Sequence, residues 1–420
     1  MKHILIVGKK FSGLVKTIED AGYEYTVLKD SLTTKFPDKK LKRRVVADFS
    51  SIDRLFEAVD TLHTKQPIDG IITVYENYIL PAAQIGQHLH LPHLPIKSAE
   101  ACTDKFLMRT LFDTASEKIS PAFATVYNEE DVRTFASTRS FPLILKPANL
   151  AKSLLVTRSD SLEELVANYQ KSVQLLESTY KKYAPNRTAS LIIEEFLEGT
   201  IHSVDAFIGS DAKPLVLDQI VDYKTGYDIG YDDNFHYSRV IPSTLNEDDQ
   251  AKLRHCADIG IRALGIKNSP AHVEIIMTKE GPRIVEIGAR NGGYRERMHK
   301  LANDIDITKA AVSLALGQTP DVSSTKNDSV AVLELFPKQA GYFSGIHNEQ
   351  LLRDLPSLTY LSIKPQPGEF VGKSGDGYKM CAVVILHNED AMAFQRDLDT
   401  VTDSVFVLTE TVPPTVSSLD

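Results

Sequence analysis

The chain has 420 residues, of which 42% are hydrophobic and 25% charged, an ordinary composition for a folded protein. That length exceeds one hydrophobic core, so the sequence predicts two to four domains. A net charge of −9 argues against nucleic-acid binding. No apolar stretch approaches the 18 or so residues of a membrane span, and three widely spaced cysteines fit a reducing, cytoplasmic setting.

The N-terminal region alternates between strand and helix patterns. His3–Val7 is a continuous apolar run, and the helix pattern after it closes at Gly22. Three further strand patterns lie near residues 25–28, 44–47 and 70–74. This alternation predicts an N-terminal doubly wound parallel α/β domain over residues 1–97. The first strand–helix turn reads GKKFSG rather than GxGxxG, so NAD binding has little support.

Glu76 and Asn77 follow the fourth predicted strand, at the sheet edge where open α/β folds bind ligands. Two interpretations are open, contact with a substrate and capping of the next helix, and capping is the plainer one. A proline-rich step at residues 91–95 then ends the first domain.

The middle of the chain, residues 98–325, predicts a second domain. Ser98 is expected to cap a helix that carries Lys105, and a small α/β unit follows at about residues 120–196. Residues 221–243 are rich in Asp, Tyr and Gly and read as a long loop that covers a ligand. Beyond this domain, four strand patterns and one helix pattern predict a C-terminal α+β domain at 326–420.

The stretch from His272 to Gly293 reads as a β-hairpin, because two alternating runs flank a turn. Glu274 and Glu286 interrupt runs that otherwise look buried. A buried carboxylate is costly unless it is paired or binds a cation, and two acids on adjacent strands can hold magnesium. Arg290 follows in a Gly-rich turn, where it can meet phosphate. A surface hairpin with solvated acids fits the spacing equally well.

The order of these motifs resembles the ATP-grasp superfamily of ligases over nearly the whole chain. Within it, the bacterial L-amino acid (dipeptide) ligases are the most similar. The likeness lies in FPLILKP, IIEEFLEG, the two hairpin acids, EIGARNGG, GYFSGI and KPQPGEFVG. It implies an ATP-grasp fold with an N-terminal α/β and a C-terminal α+β domain. It also implies an ADP-forming carboxylate–amine ligase that forms an acyl phosphate.

The resemblance assigns roles to individual residues. Lys105 and Lys146 meet the phosphates, Glu274 and Glu286 are the magnesium acids, and Arg290 steadies the phosphorylated carboxylate. The remaining assignments are nucleotide contacts at Ser153, Glu194, Glu195, Phe196, Leu197 and His202, and substrate contacts at His236, Arg290 and Gly293. The implied cofactors are ATP and two Mg²⁺ ions, with Mn²⁺ as an alternative. The implied partners are small-molecule carboxylate and amine substrates, and a second copy in a homodimer.

Three differences from the family pattern leave other functions open. The loop after Lys146 reads ANLAKSLLV and contains no glycine, although Asn149 tolerates a positive φ. Ile201 stands where relatives often carry an acid, and Gly288 stands where many carry Asn. The alternatives are an ATP-grasp ligase of purine or carboxylate metabolism and a nucleotide-binding protein with degenerate catalysis.

Overall fold

The computed structural model describes residues 1–31, 43–150, 154–184 and 187–412. Its strands are β1 (His3–Val7), β2 (Glu24–Asp30), β3 (Arg44–Ala47), β4 (Gly70–Ile72), β5 (Phe123–Val126), β6 (Leu143–Pro147), β7 (Thr157–Ser159), β8 (Leu191–Glu195), β9 (Gly199–Ile208), β10 (Pro214–Thr225), β11 (His236–Ile241), β12 (Ser269–Thr278), β13 (Gly281–Gly288), β14 (Ser329–Leu335), β15 (Gly341–Ile346), β16 (Leu358–Ile363), β17 (Phe370–Val371), β18 (Ala382–Asn388) and β19 (Val407–Glu410).

Its α-helices are α1 (Ser12–Asp20), α2 (Ile52–Lys65), α3 (Ile79–His88), α4 (Ile96–Ala101), α5 (Lys105–Phe112), α6 (Glu129–Ser137), α7 (Leu162–Tyr183), α8 (Glu247–Ala263), α9 (Arg295–Asn303), α10 (Ile307–Ala315), α11 (Glu349–Arg353) and α12 (Ala391–Ser404). Among these helices, none combines the length and the apolarity needed to cross a bilayer.

The N-terminal sheet is parallel, in the order β3-β2-β1-β4, as the alternating pattern predicts. The residues of β1 alternate between two cores. Leu5 and Val7 pack with residues of α2 and α3, whereas Ile4 and Ile6 pack with residues of α1 and α10. The sheet is therefore covered on both faces, and one of its covering helices comes from a much later part of the chain.

A four-stranded antiparallel sheet in the order β5-β8-β6-β7 forms the small subdomain with α6 and α7. The sequence explains both helix starts, because Asn128 makes a capping box with Asp131, and the Ser161 hydroxyl accepts from the Glu164 amide. The apolar face of α7 packs through Leu165 onto strands β6 and β8.

An eight-stranded sheet forms the centre of the molecule, in the order β13-β12-β9-β10-β11-β14-β18-β16. The predicted hairpin of β12 and β13 lies at its edge. The strands expected in the C-terminal region extend this same sheet, since Ser238 of β11 pairs with Leu333 of β14. A separate three-stranded sheet, β17-β15-β19, packs beyond them. The boundaries at residues 97 and 325 stay predictions.

The expected loop at 221–243 is wrong in part. Strand β10 continues to Thr225, and β11 runs from His236 to Ile241, which leaves residues 226–235 and 242–243 outside strands. Tyr223 and Thr225 are buried while Lys224 between them is exposed, so side chains alternate across the sheet as in any half-buried strand. The many acids obscured this alternation.

The expected cap at Ser98 is also wrong. Ser98 lies inside the short helix α4, where it is buried and donates to the Gly265 carbonyl at 2.8 Å. Asp104 caps the following helix α5 instead, and its carboxylate accepts from the Phe106 and Leu107 amides. Asp is as good a capping residue as Ser, so residue type alone did not separate the two positions.

Candidate active site

A cleft of about 2870 Å³ opens between the small subdomain, the hairpin face of the central sheet and the carboxyl edge of the N-terminal sheet. Every site residue expected from the sequence lines it, with one exception. These residues are Lys105, Lys146, Glu194, Glu195, Phe196, Leu197, His202, His236, Glu274, Glu286, Arg290 and Gly293. The exception is Ser153, which lies outside the described residues.

The two hairpin acids face each other. Glu274 of β12 and Glu286 of β13 are direct register partners, so their side chains share one face of the hairpin. Their side chains are 20% and 25% exposed respectively, and that exposure opens into the cleft. The hypothesis of a hairpin whose acids are merely solvated on the outer surface is therefore wrong.

Glu274 is backed by a buried group of charged residues that we call the hairpin cluster: Asp205, His272, Glu274, Arg295 and His299. His272 lies between Asp205 and Glu274, with Nδ1 2.8 Å from Asp205 Oδ1 and Nε2 3.5 Å from Glu274 Oε1. The other Asp205 oxygen lies 3.2 Å from His299 Nε2 and 3.3 Å from Arg295 Nε. One buried carboxylate therefore holds three cationic or potentially cationic side chains.

The hairpin cluster fixes the charge of its acids. Burial alone would raise the pKa of Glu274, but the hydrogen bond from His272 and the nearby charges of His236, His272 and Arg290 hold it well below its usual range. Burial of Asp205 is likewise outweighed, chiefly by His272, so its pKa is also far below normal. Burial lowers the pKa of His272, but Asp205 and Glu274 outweigh this and raise it.

Lys105 connects the hairpin to the other side of the cleft. Its Nζ lies 3.2 Å from Glu286 Oε2 and donates to the Leu150 carbonyl at 3.2 Å. Its main-chain amide donates to Ala148 at 2.7 Å, which ties α5 to the loop after β6. Burial would lower the pKa of Lys105, but the charges of Glu286 and Glu76 outweigh burial and raise it. A solvated surface lysine, the ordinary interpretation of such a residue, is excluded.

Three buried side chains, where α5 meets strands β6 and β8 of the small subdomain, form what we call the lysine cluster: Arg109, Lys146 and Glu194. Glu194 Oε2 lies 2.5 Å from Lys146 Nζ, and Oε1 lies 2.9 Å from Arg109 Nε. Although burial opposes it, the charges of Arg109 and Lys146 lower the pKa of Glu194 to about 2. Burial, together with repulsion from Arg109 and Lys105, lowers the pKa of Lys146 to about 8 despite the attraction of Glu194.

Sequence reasoning did not assign Arg109 to the site. It lies four residues after Lys105 and so on the same face of α5, a signal that was available. Arg109 Nη2 donates to the Val285 carbonyl at 2.7 Å, whereas Nη1 is buried with no partner among the described residues. A buried cationic donor without a partner at a cleft fits an anionic ligand.

The segment from Glu194 to Leu197, expected to contact the nucleotide, overlaps the lysine cluster at Glu194 and continues beyond it. The Glu195 amide donates to Ala122 at 3.0 Å and the Phe196 amide to Pro142 at 3.3 Å. The Leu197 amide has no main-chain acceptor in the part of the chain that is described. The Arg158 guanidinium lies 4.6 Å from the centre of the Phe196 ring, as in a cation–π contact.

The two histidines differ in how much of each ring is engaged. His202 has both nitrogens occupied, with Thr200 Oγ1 at 2.6 Å and Asp222 Oδ1 at 2.8 Å. His236 on β11 makes an edge contact with the Tyr223 ring, and burial lowers its pKa. His236 therefore has more freedom to meet a substrate. The third expected substrate contact, Gly293, borders open space, because a Cβ added there would meet no atom within 4 Å.

The wall of the cleft beyond His236 contains an ion pair that the sequence did not indicate. Arg239 Nη2 lies 3.4 Å from Glu334 Oε2, and its guanidinium sits between the Tyr223 and Tyr294 rings. The Tyr294 hydroxyl donates to Glu334 Oε1 at 2.7 Å. Residues from β10, β11, β14 and the start of α9 thus meet here, and their separation in sequence hid the grouping.

Arg290 faces the N-terminal sheet. Its Nη2 lies 3.4 Å from Glu76 Oε2, and Nη1 donates to the Asn291 carbonyl. The interpretation of Glu76 and Asn77 as caps of the next helix is wrong, because α3 begins without a side-chain cap. Asn77 instead donates to the Tyr183 carbonyl at 3.2 Å.

The donor set fits a magnesium ion only in part. Glu274 and Glu286 supply carboxylate oxygens, the ligand type that Mg²⁺ prefers. Among the described residues, no group of three or more His, Cys, Asp or Glu side chains is arranged to hold a metal ion. The chain thus offers two acids, and phosphate and water oxygens would have to complete an octahedral set.

Comparison with known families accounts for this arrangement. Residues 139–296 match the model of the ATP-grasp domain, and residues 19–93 match that of the ATP-grasp N-terminal domain. The chain belongs to the ATP-grasp superfamily. The two matched regions contain Lys146, the segment from Glu194 to Leu197, and both hairpin acids. They therefore cover much of the cleft.

The chain is 30% identical over 54% of its length to the alanine–anticapsin ligase of Bacillus subtilis. It is 21% identical over 78% of its length to the uncharacterised protein y4rH of Sinorhizobium fredii. The matches cover 49% and 66% of those two relatives' own lengths.

The ATP-grasp fold itself is seen in a solved L-amino acid ligase from Bacillus licheniformis. The two structures superpose with a TM-score of 0.82 at 18% identity, over 98% of this chain and 99% of the other. The predicted fold and the resemblance to ATP-grasp ligases of the amino acid type are confirmed. The roles of individual residues stay predictions.

Proposed function

We propose that this ATP-grasp protein joins a carboxylate to an amine in an ATP-dependent reaction that releases ADP. The observation that carries the proposal is that two acids and two lysines line one cleft. Glu274 and Glu286 are register partners on the hairpin, Lys105 lies 3.2 Å from Glu286, and Lys146 lies in the lysine cluster. Acids that suit a divalent cation and lysines that suit phosphates are what Mg²⁺–ATP requires.

Each charged residue has a distinct part in this proposal. Glu274 and Glu286 hold Mg²⁺, which when bound neutralises the charge that develops as a phosphoryl group moves to the carboxylate. Lys105 and Lys146 bind phosphate oxygens. Arg290 presents two donors to the reacting carboxylate and so stabilises negative charge on its oxygens. The number of metal ions, two by resemblance, and the choice of Mg²⁺ over Mn²⁺ are part of the proposal.

Water has to be kept from the activated carboxylate, because hydrolysis would release phosphate without forming an amide. The small subdomain forms one side of the cleft and carries Lys146 and Glu194 on strands β6 and β8. We propose that this subdomain, at about residues 120–196, is mobile and closes over the nucleotide.

The substrates are proposed to be two amino acids, or an amino acid and a small amine. The far wall of the cleft carries both charge signs, with Arg239 and Glu334 beside His236. A zwitterionic substrate needs such a pair, one group for its carboxylate and one for its ammonium. The relative named as an alanine–anticapsin ligase supports this choice. The cytoplasmic setting and the homodimer stay predictions.

The test is the release of ADP and phosphate from ATP and Mg²⁺ in the presence of the twenty amino acids, singly and in pairs. We expect release that depends on particular amino acids, with a condensation product visible by mass spectrometry. Purine intermediates are tested in parallel, and release that depends on one of them and not on amino acids would assign the protein to purine metabolism instead. ATP binding without release in any mixture would support the alternative of a non-catalytic nucleotide-binding protein.

A further inference from the structure

The carboxylate of Glu76 lies between two guanidinium groups from different parts of the chain. Its Oε2 is 3.4 Å from Arg290 Nη2, and its Oε1 is 3.9 Å from Arg187 Nη1. The Glu76 side chain is only 12% exposed, and both arginines are largely buried. Both distances exceed that of a good charge-assisted hydrogen bond, so one carboxylate is shared between two cations.

Arg187 connects the small subdomain to its surroundings. It lies between α7 and β8, and its Nη2 donates to the Glu76 main-chain carbonyl at 3.3 Å. Its Nη1 donates to the Asn149 carbonyl at 2.5 Å, in the loop that follows Lys146. Asn77 adds a second link to the same end of α7 through the Tyr183 carbonyl. The N-terminal domain therefore holds the lid at the point where the lid meets the phosphate side of the cleft.

We propose that Glu76 is a positioning residue that orients Arg290 and, through Arg187, latches the small subdomain shut. This inference rests on the proposed function, because it gives Arg290 a reacting carboxylate to meet. When the Arg290 guanidinium turns toward the reacting carboxylate of the substrate, its contact with Glu76 weakens. Glu76 is then free to pair fully with Arg187. Without substrate, Arg187 already holds the subdomain through the Glu76 and Asn149 carbonyls. The latch tightens further when a substrate is in place, so closure is coupled to occupancy of the cleft.

The first test measures coupling, defined as amide product formed per ATP consumed. In Arg187→Met the latch is lost while Arg290 keeps its partner, so water competes with the amine and returns the carboxylate and phosphate. We expect product-free ATP consumption to rise about fivefold, the effect of a partly buried ion pair worth ~1 kcal/mol. Arg187→Lys should restore part of the coupling. Glu76→Gln should lose the coupling and also lower kcat, because Arg290 loses its orientation.

A matched control is Glu57→Gln on α2, since Glu57 is an exposed acid of the same domain. It should leave coupling and kcat at wild-type values. The effect of Glu76→Gln on kcat should also disappear in an Arg290→Lys background, because the residue through which Glu76 acts is already altered. An unchanged coupling ratio in both Glu76→Gln and Arg187→Met would overturn the proposal.

A second test needs no turnover and therefore separates this inference from the proposed function. Amide hydrogen exchange is measured in the ligand-free full-length chain. The end of α7, residues 176–184, should exchange at least about threefold faster in Arg187→Met than in wild type, since the latch limits local opening. Strand β1 should be unaffected. Equal exchange in both proteins would overturn the latch, whereas a wild type that forms no amide product would overturn only the ligase assignment.

Discussion

The hairpin cluster and the lysine cluster handle buried charge in opposite ways. In the hairpin cluster, two acids are surrounded by Arg295 and two histidines, and every shift in pKa favours the charged form of the acids. In the lysine cluster, two cations share the single carboxylate of Glu194. There the cost of burial falls on Lys146, whose pKa is lowered to about 8.

This difference separates a cation-binding end of the cleft from an anion-binding end. Glu274, the acid of the hairpin cluster that faces the cleft, stays ionised over the whole physiological range, so it suits a metal ion at any ordinary pH. The lysine cluster has one more positive than negative group and a buried Arg109 donor without a partner among the described residues. A bound anion would complete it. Substitutions at the two ends of the cleft should therefore impair different properties of the protein.

The largest expected effect is the loss of turnover in Glu286→Ala. Removing one of two facing acids leaves a single carboxylate for the metal ion and removes the ion pair of Lys105. We expect kcat to fall by about a thousandfold or more, as for loss of a group that holds a catalytic metal ion. Turnover is followed by ADP release, and circular dichroism reports whether the fold is intact.

The control for that change is Glu280→Ala, in the turn of the same hairpin. Glu280 is 80% exposed and pairs only loosely with Arg283, at 3.6 Å. It should keep full activity. Wild-type turnover in Glu286→Ala would remove Glu286 from the site.

The next effect concerns stability at the hairpin end. Asp205→Asn removes the carboxylate that pairs with Arg295 and His299 and one of the two carboxylates that flank His272, which should lower the free energy of unfolding by about 3 kcal/mol. Urea denaturation measures it. Asp218→Asn, an exposed position of the same central sheet, serves as the control and should change stability by less than about 0.5 kcal/mol. A loss as small in Asp205→Asn would show that the cluster is not needed for folding.

At the lysine end the expected effect is on pH dependence. The pKa of Lys146 is about 8, so the free protein keeps this charge below pH 8 and loses it as the pH rises above 8. If ATP needs the charged form, its Kd at pH 9 should be roughly tenfold higher than at pH 7. Isothermal titration at three pH values measures this.

The matched variant for the pH dependence is Lys146→Arg, because arginine keeps its charge throughout this range. Its profile should be flat. A wild-type Kd that does not change between pH 7 and pH 9 would contradict the assignment of Lys146 to the phosphates.

The lowered pKa of Lys146 also makes the free energy of unfolding depend on pH. Between pH 8 and the normal lysine pKa of 10.5, the unfolded chain binds a proton at Lys146 that the folded chain does not. The contribution of Lys146 to the free energy of unfolding therefore rises with pH across that window. Below pH 8 both states carry the proton, and the contribution is constant and unfavourable.

How far the sequence predicted these regions depends on what each core is made of. The N-terminal sheet and the hairpin were predictable, because alternating or continuous apolar runs mark their strands. Helix α9 was not expected. Its buried positions include Arg295, His299 and Asn303, so it shows no apolar period. A helix whose inner face is polar looks like a loop until its partners, here Asp205, are known.

The prediction of the site from the sequence was limited in the same way. Family motifs placed both hairpin acids, Lys105 and Lys146 around one cleft. Arg109 was not assigned to the site, and for Glu76 capping of a helix was preferred over contact with a substrate. Their significance lies in contacts with Glu194 and Arg290, which are 85 and 214 residues away in sequence. Periodicity reports one element at a time and cannot show such pairings.

The smallest expected effect tests the loop that lacks glycine. Leu155, near the lysine end, adopts a left-handed backbone with φ of 56°. That conformation costs an L-residue about 1 kcal/mol or more, whereas glycine adopts it freely. Leu155→Gly and Leu155→Ala both remove the side chain beyond Cβ, but only glycine also removes Cβ and so relieves the backbone. We therefore expect the glycine variant to be more stable than the alanine variant by about 1 kcal/mol, the reverse of the usual order. Urea unfolding of the two proteins decides it, and an alanine variant of equal or greater stability would mean that this turn is not left-handed in solution.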